Sequence, residues 1–388
     1  MSLQTALNKV FRTLGQVFTV PTHGAFCHAR RKLKPEVFTH LNRIVTEFFY
    51  RESEPEEVLS WHGHRLLSCD ATFLNLPDTK LTREQYSLQT NQHEGAECVQ
   101  ALCGVLYDVR NDLGLTLTLT KRQGETNALL QDLWATTRTG DVLILDRAYA
   151  DYRLLAYARA HGREVIVRLP RGRFRACEDF WISDWPEQII EITLPASLPT
   201  QAFVKERGLP PTLRLRLIRV ILSSGETEVL LTTLLDTQAY PAAEFKEVYG
   251  WRWHEETFFN RFKNIFEVER FSGKSVIAIE QDVRGVLFLA NLESVLRQPD
   301  EAVLQTAAVA RANKTMPQVN RAVSYVALLE RVVLLLTEGQ SNEAVLTELH
   351  HLFRTNPTRL RPDRQVPRTP LKYAHRLRFH KYVKKLSA

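Results

Sequence analysis

The chain has 388 residues, 44% apolar and 24% charged, the balance of a soluble globular protein with room for two or three domains. No segment approaches the ~20 uninterrupted apolar residues of a membrane span, and the first twenty residues lack the apolar core and small-residue cleavage site of a secretory signal, so a cytoplasmic location is expected. The net charge of +7 is unevenly spread: residues 354–388 carry eleven Lys and Arg against Asp363 alone, which reads either as a contact for a polyanion or as a solvated basic end.

Residues 1–60 read as helical. Val37, Leu41, Ile44, Val45 and Phe48 recur at helical spacing within Lys34–Tyr50, just after the basic cluster Arg30, Arg31, Lys32 and Lys34. A small helical domain with a basic edge suits DNA contact, and a simple helical cap fits equally well. Strands are predicted next at Leu66–Leu76, Cys98–Val109 and Leu113–Thr120. A long polar loop (77–97) separates the first two, and a short turn makes the second and third an antiparallel hairpin. A helix over Glu125–Thr137, a buried strand at Val142–Leu145, a helix over Tyr152–His161 and a strand at Glu164–Leu169 follow. Three strands followed by alternating helix and strand predict a mixed α/β sheet.

Residues 170–240 break that rhythm with six prolines. Two strands, Leu213–Leu222 and Glu228–Leu235, flank a Ser-Ser-Gly-Glu turn, so this stretch reads as a β-rich insertion. After residue 275 helices are expected at Val283–Leu296, Ala322–Leu336 and Asn342–Phe353. The five cysteines (Cys27, Cys69, Cys98, Cys103 and Cys177) are odd in number and include no C-x-x-C pair. Neither a disulfide framework nor a zinc site is expected, and buried thiols are.

Three carboxylates stand out. Asp70 interrupts an apolar strand, against both β propensity and burial. It is either a satisfied structural acid or a functional one. Asp146 ends the buried strand Val142–Leu145, where α/β sheets gather ligand sites, and a turn or N-cap Asp is the alternative. Glu256 belongs to a helix expected over Tyr249–Lys263 with the spacing Y-x2-R-x3-E-x6-K. At about 100° per residue, Tyr249, Arg252, Glu256 and Lys263 fall within roughly 60° of one another. Trp251, Phe258, Phe262 and Ile265 share a roughly opposite face that suits burial. Arg252 with Glu256 could be an ordinary i,i+4 surface pair. Taken with Asp70 and Asp146, Glu256 instead completes a set of hard oxygen ligands suited to Mg²⁺ or Mn²⁺. Two such ions, about 4 Å apart, serve phosphodiester chemistry, with Arg252 and Lys263 gripping backbone phosphates.

The order Asp70, Asp146, Glu256, the sheet order and the Y-x2-R-x3-E-x6-K helix together resemble bacterial DDE transposases of the insertion-sequence-4 family, the group with a YREK signature. The Asp-Ala-Thr at Asp70, the Asp-Arg-x-Tyr at Asp146 and the early Ala25-Phe-x-x-Ala-Arg30-x-Lys-Leu33 are similar as well. The resemblance covers most of the chain and is weakest at 1–20 and 170–240. It implies an RNase H-like catalytic core (61–169 and 241–275) interrupted by the β-strand insertion (170–240). Flanking the core are a helical N-terminal region (1–60), a helical C-terminal region (276–353) offering a dimer interface, and the basic tail (354–388).

The resemblance further implies cut-and-paste transposition with a hairpin intermediate. Asp70, Asp146 and Glu256 would hold two Mg²⁺ or Mn²⁺ ions, and Tyr249, Arg252 and Lys263 would bind the terminal strands. Double-stranded DNA, as terminal inverted repeats and target, would be the substrate of a homodimer associated with the nucleoid when bound. Related enzymes stack an insertion tryptophan on a flipped base. Trp181 and Trp185 lie in that region, but no motif selects either, and each reads as a core aromatic. A stand-alone metal-dependent nuclease on the same core and a DNA-binding protein that has lost catalysis are the alternative functions.

Overall fold

The strands that build the core are β1 (Leu66–Asn75), β2 (Ser87–Thr90), β3 (Glu97–Asp108), β4 (Leu113–Thr120), β5 (Val142–Leu145), β6 (Glu164–Arg168), β7 (Glu187–Thr193), β8 (Thr212–Ile221) and β9 (Thr227–Thr232). The structure is a computed structural model that describes residues 2–16, 18–90, 97–121, 124–222, 225–311, 315–337 and 342–359. Two compact units fall within it. One takes its residues from Glu52–Phe73 and Leu102–Phe259, the other from Met1–Arg51, Leu74–Ala101 and Asn260–Ala388.

In the first unit the strand order is β4-β3-β1-β5-β6-β9-β8-β7. The alternation of Leu and Thr in β4 becomes alternating burial, because successive side chains point to opposite faces of the sheet. β4 pairs antiparallel with β3, and the Asp108 carboxylate ties the turn between them by accepting from the Arg110 and Asn111 amides at 3.0 Å each. β1 pairs parallel with β5, and β5 with β6. Every residue of β5 is buried, as expected of a parallel strand covered on both faces. The run β4-β3-β1-β5-β6 is the mixed order of an RNase H-like core.

The insertion does not stand apart from that core. Its strand β9 pairs antiparallel with β6, with Ile166 opposite Thr232, and β8 and β7 follow by antiparallel pairing. β7 and the helix Leu198–Glu206 were not expected from sequence, since both lie in proline-rich surroundings that mask periodicity. Ser223 and Ser224 of the expected turn lie outside the described residues. The helix expected over Glu125–Thr137 is an α-turn at Glu125–Ala128, a π-helix at Leu129–Leu133 and a 3-10 turn at Trp134–Thr136.

The second unit is mostly helical. The segment read as a long polar loop holds the helix Lys80–Gln85, with Thr79 and Thr82 forming a reciprocal cap. It also holds β2, which pairs with the first residues of β3. The region read as a helix at Val283–Leu296 is the middle of one 35-residue helix, Val276–Ala310, that runs through Pro299. Packing of a long helix can absorb the missing amide and local bend of one proline, a signal that sequence reading takes as a stop. The first-region helix spans Glu36–Glu52 and buries Asn42, Thr46 and Phe49, while Ile44 and Phe48 are half exposed. A polar pair explains the rotated face: Asn291 on the long helix donates to the buried Asn42 at 2.7 Å.

Arg30 from the early basic cluster is committed inside this unit. Its guanidinium donates to Gln281 Oε1 at 2.5 Å, Asp282 Oδ1 at 2.8 Å and the Ala278 carbonyl at 3.2 Å, and also meets Ser272 Oγ. Gln281 returns hydrogen bonds to the Arg30 and Leu33 carbonyls. Arg31, Lys32 and Lys34 are exposed. Among the described residues no helix is long and apolar enough to cross a membrane. The expected basic tail lies outside the described residues from residue 360 onward.

Candidate active site

Register brings the first two carboxylates together. β1 and β5 pair with Leu66 opposite Val142, Leu67 opposite Leu143 and Ser68 opposite Ile144. Asp70 and Asp146 each lie four residues beyond the first of those pairs, at matching positions along neighbouring chains that a sheet holds about 4.8 Å apart. Asp70 is half-buried, and its Oδ1 accepts from the Ala71 amide at 2.8 Å. Burial pushes its carboxyl above the ordinary range, and Glu256 and Asp146 push the same way, against the Ala71 amide and Arg252. Asp146 occupies the N-cap position of the 3-10 turn Arg147–Tyr149, yet its side chain makes no cap. Its Oδ1 is buried without a hydrogen-bond partner among the described residues. The turn-Asp reading therefore does not account for this carboxylate. Tyr149, three residues on, is buried and directs its hydroxyl to Cys69 Sγ at 3.4 Å, beside Asp70.

The expected helix over Tyr249–Lys263 is two helices, Phe245–Gly250 and Trp253–Asn264. Between them the backbone tightens: the Arg252 amide reaches the Tyr249 carbonyl at 3.2 Å and His254 reaches Trp251 at 3.0 Å. Gly250 sits at the break, where its large conformational freedom weakens a helix. Tyr249 and Arg252 are therefore positioned by the first helix and the turn, and Glu256 by the second.

Of the expected apolar face, Phe258 and Phe262 are buried. Trp251 is half-buried under Arg110, whose guanidinium lies 3.9 Å from the indole centroid. The His254 Nδ1–H donates to the Val109 carbonyl at 2.8 Å. Both contacts fasten the β3–β4 turn to this segment, and sequence reading had no signal for either.

Tyr249 and Arg252 are 6% and 7% exposed. The Tyr249 hydroxyl and Arg252 Nε are buried donors without partners among the described residues. Burial raises the Tyr249 phenol, with Arg252 opposing and Asp146 reinforcing. Burial works against the charge of Arg252, but Tyr249, Asp146, Glu256 and Asp70 outweigh it and hold the guanidinium more firmly protonated. Five of the six expected site residues thus share one electrostatic neighbourhood. Arg252 also donates to Glu256 Oε1 at 3.3 Å, so the i,i+4 pair is present, with a buried cation and a half-exposed acid.

Lys263 lies in the last turn of the second helix and belongs to the other compact unit. Among the described residues no three His, Cys, Asp or Glu side chains form a ready ligand set around a single point.

One acid at the site carried no sequence signal beyond its adjacency to Glu256. Glu255 is fully buried, and its Oε1 accepts the Asp70 amide at 3.1 Å. Burial, reinforced by Asp70, pushes its carboxyl well above the ordinary range, against the Ser68 hydroxyl, the Asp70 amide and Arg252. In the insertion, Trp185 is 50% exposed, which corrects its reading as a core aromatic. Trp181 is half-buried, with its indole nitrogen unpartnered among the described residues.

A family model described as "Transposase DDE domain" matches residues 61–292. The chain is 24% identical over 278 residues to the transposase InsG for insertion sequence element IS4 of Escherichia coli (strain K12), covering 71% of this chain and 60% of that protein. Among solved structures it is similar to the piggyBac transposase of a synaptic complex with hairpin DNA, at 8% identity and a TM-score of 0.38, over 74% of this chain and 57% of that one. The chain thus matches less than two thirds of the length of either.

Proposed function

Because the chain belongs to the transposase DDE-domain family, whose model matches residues 61–292, we propose that it is a DNA transposase. In this reading it cuts the ends of an insertion sequence and joins them to target DNA by a cut-and-paste route with a hairpin intermediate. The observation that carries the reading is that Asp70 and Asp146 each fall four residues past the paired Leu66 and Val142 of neighbouring parallel strands. Glu256 and Arg252 act on the same electrostatic neighbourhood.

The donor set is all carboxylate oxygen, which fits Mg²⁺ or Mn²⁺, and Asp146 Oδ1, unpartnered among the described residues, is an oxygen suited to such a ligand role. Asp70, Asp146 and Glu256 would hold the ions, two in number. When bound, the ions supply an activated water or 3′-hydroxyl and neutralise charge on the leaving oxygen. The chain's own donors do the rest. Arg252 presents a desolvated guanidinium and Tyr249 a buried hydroxyl to a backbone phosphate, and Lys263 adds a cation from the helix that carries Glu256. Exposed Arg31, Lys32 and Lys34, with the basic tail, would add contacts to terminal-repeat DNA. Synapsis of two ends calls for a homodimer, acting in the cytoplasm on nucleoid DNA.

The test is a strand-transfer assay on a duplex taken from the DNA that flanks the coding region, with a plasmid target and Mg²⁺. Cleavage followed by joining is expected. Cleavage without joining would make the protein a nuclease, and binding without cleavage a DNA-binding derivative. Glu256→Gln is expected to bind the duplex and fail to cut it.

A further inference from the structure

The Asp70 amide and the Glu255 carboxylate meet across 185 residues of sequence, at 3.1 Å. Nothing in the sequence spacing required the contact. Glu255 is fully buried, an unusual place for an acid without a dedicated task, and it is the immediate neighbour of Glu256. A hydrogen bond from the Asp70 backbone to the Glu255 side chain therefore joins the chain carrying the first carboxylate to the helix carrying the third. The segment is also fastened to the turn after β3, through His254 with Val109 and Trp251 with Arg110. Glu255 instead reaches the backbone of a site carboxylate.

We infer that Glu255 is a positioning residue: by accepting the Asp70 amide it sets the placement of Asp70 relative to Glu256, and so the shape of the divalent-cation site. The inference rests on the reading of Asp70, Asp146 and Glu256 as metal ligands. An outer partner that orients a ligand typically changes metal affinity by about 10–100-fold when removed. The feature needed is a side-chain oxygen that reaches the Asp70 amide. Glu255→Gln keeps that oxygen at the same reach. Glu255→Leu removes it at similar volume, and Glu255→Asp keeps the carboxylate but shortens its reach by one methylene.

The experiment is a calorimetric titration of the full-length protein with Mn²⁺ alone, without DNA, alongside thermal melting of the metal-free protein. Asp146→Asn serves as the control for the metal site. Wild type is expected to bind Mn²⁺ and Asp146→Asn to lose most of that binding. Glu255→Leu and Glu255→Asp are expected to weaken it by roughly tenfold or more, and Glu255→Gln to stay within about threefold of wild type, a smaller change than loss of an outer partner brings. If the Leu variant does not fold, the Asp variant decides by itself.

Mn²⁺ affinity unchanged in the shortened or apolar variant, with only the melting temperature lowered, would reduce Glu255 to a structural residue and overturn the inference. So would a Gln variant as weak as Leu, since the acceptor would then be irrelevant. If wild type binds no Mn²⁺, or Asp146→Asn binds as wild type does, the metal-site reading itself falls and this inference with it, an outcome distinct from failure at Glu255 alone.

Discussion

Asp70 in β1 and Asp146 just past the end of β5 each lie four residues beyond the paired Leu66 and Val142. Burial above all, and then repulsion from Glu256 and Asp146, makes Asp70 hold its proton more tightly than an exposed Asp. A fold that keeps such a pair has set stability against something else, and a site that takes up positive charge resolves the conflict.

The first prediction follows from that repulsion. Asp70→Asn keeps an oxygen for the Ala71 amide and removes a charge that the metal-free fold disfavours. Its stability in EDTA at neutral pH is expected to match wild type or exceed it by up to about 1 kcal/mol, with strand cleavage abolished. Urea denaturation and a cleavage assay check the two halves. A clear loss of stability would return Asp70 to the role of a satisfied structural acid.

A second prediction concerns pH. Burial raises the carboxyls of Glu255 and Asp70 in the fold. In the metal-free protein they keep protons that the unfolded chain releases near its ordinary carboxyl value of about 4. Their stabilising contribution is full below that unfolded value and is lost as pH rises through the raised folded values. Glu255→Gln has no such proton. Its stability relative to wild type should climb with pH above about 4, by up to about 1.4 kcal/mol per unit. Paired denaturation series in EDTA across the acidic-to-neutral range would show the slope, and a flat difference would refute it.

Arg252 tests the other half of the site. Its guanidinium is buried and faces Glu256. Arg252→Met is expected to lower metal-free stability by roughly 1–3 kcal/mol, because Glu256, Asp70 and Asp146 lose their shared countercharge. Arg252→Lys should be less destabilising but should still weaken binding to the end duplex, since an ammonium lacks the planar fork. Fluorescence anisotropy at fixed salt measures that loss.

The basic cluster before the Glu36–Glu52 helix should split by role. Arg30→Ala leaves Asp282 and Gln281 without their partner and is expected to cost about 2–4 kcal/mol, close to the value for breaking a partly buried ion pair. Replacing exposed Arg31, Lys32 and Lys34 together by Ala should leave melting nearly unchanged. It should also flatten the dependence of DNA binding on salt, each lost phosphate contact reducing the slope by about one. Equal effects from the two changes would contradict the division.

Much of the core was legible because its signals are local. The alternation in Leu113–Thr120 and the unbroken apolar run Val142–Leu145 needed only neighbouring residues to be read, and both strands fall at those bounds. Asp70 stood out for the same reason, as an acid within an apolar run. The break at Trp251–Arg252 was not legible: a helical wheel assumes continuity, and one glycine is a weak reason to deny it. The passage of the long helix through Pro299 was hidden by the opposite error, a strong local stop signal overridden by packing.

By itself the sequence determined the succession of strands and helices along the core, the places of Asp70 and Asp146 within it, and the proximity of Tyr249, Arg252 and Glu256 along the chain, because side-chain periodicity is a short-range property. Only the tertiary structure decided which of those groups are desolvated, that Arg30 is a clamp, that the insertion extends the core sheet, and that Glu255 supports Asp70. Those are facts about residues tens to hundreds of positions apart. They depend on which buried polar atoms find partners, and no period along the chain encodes that.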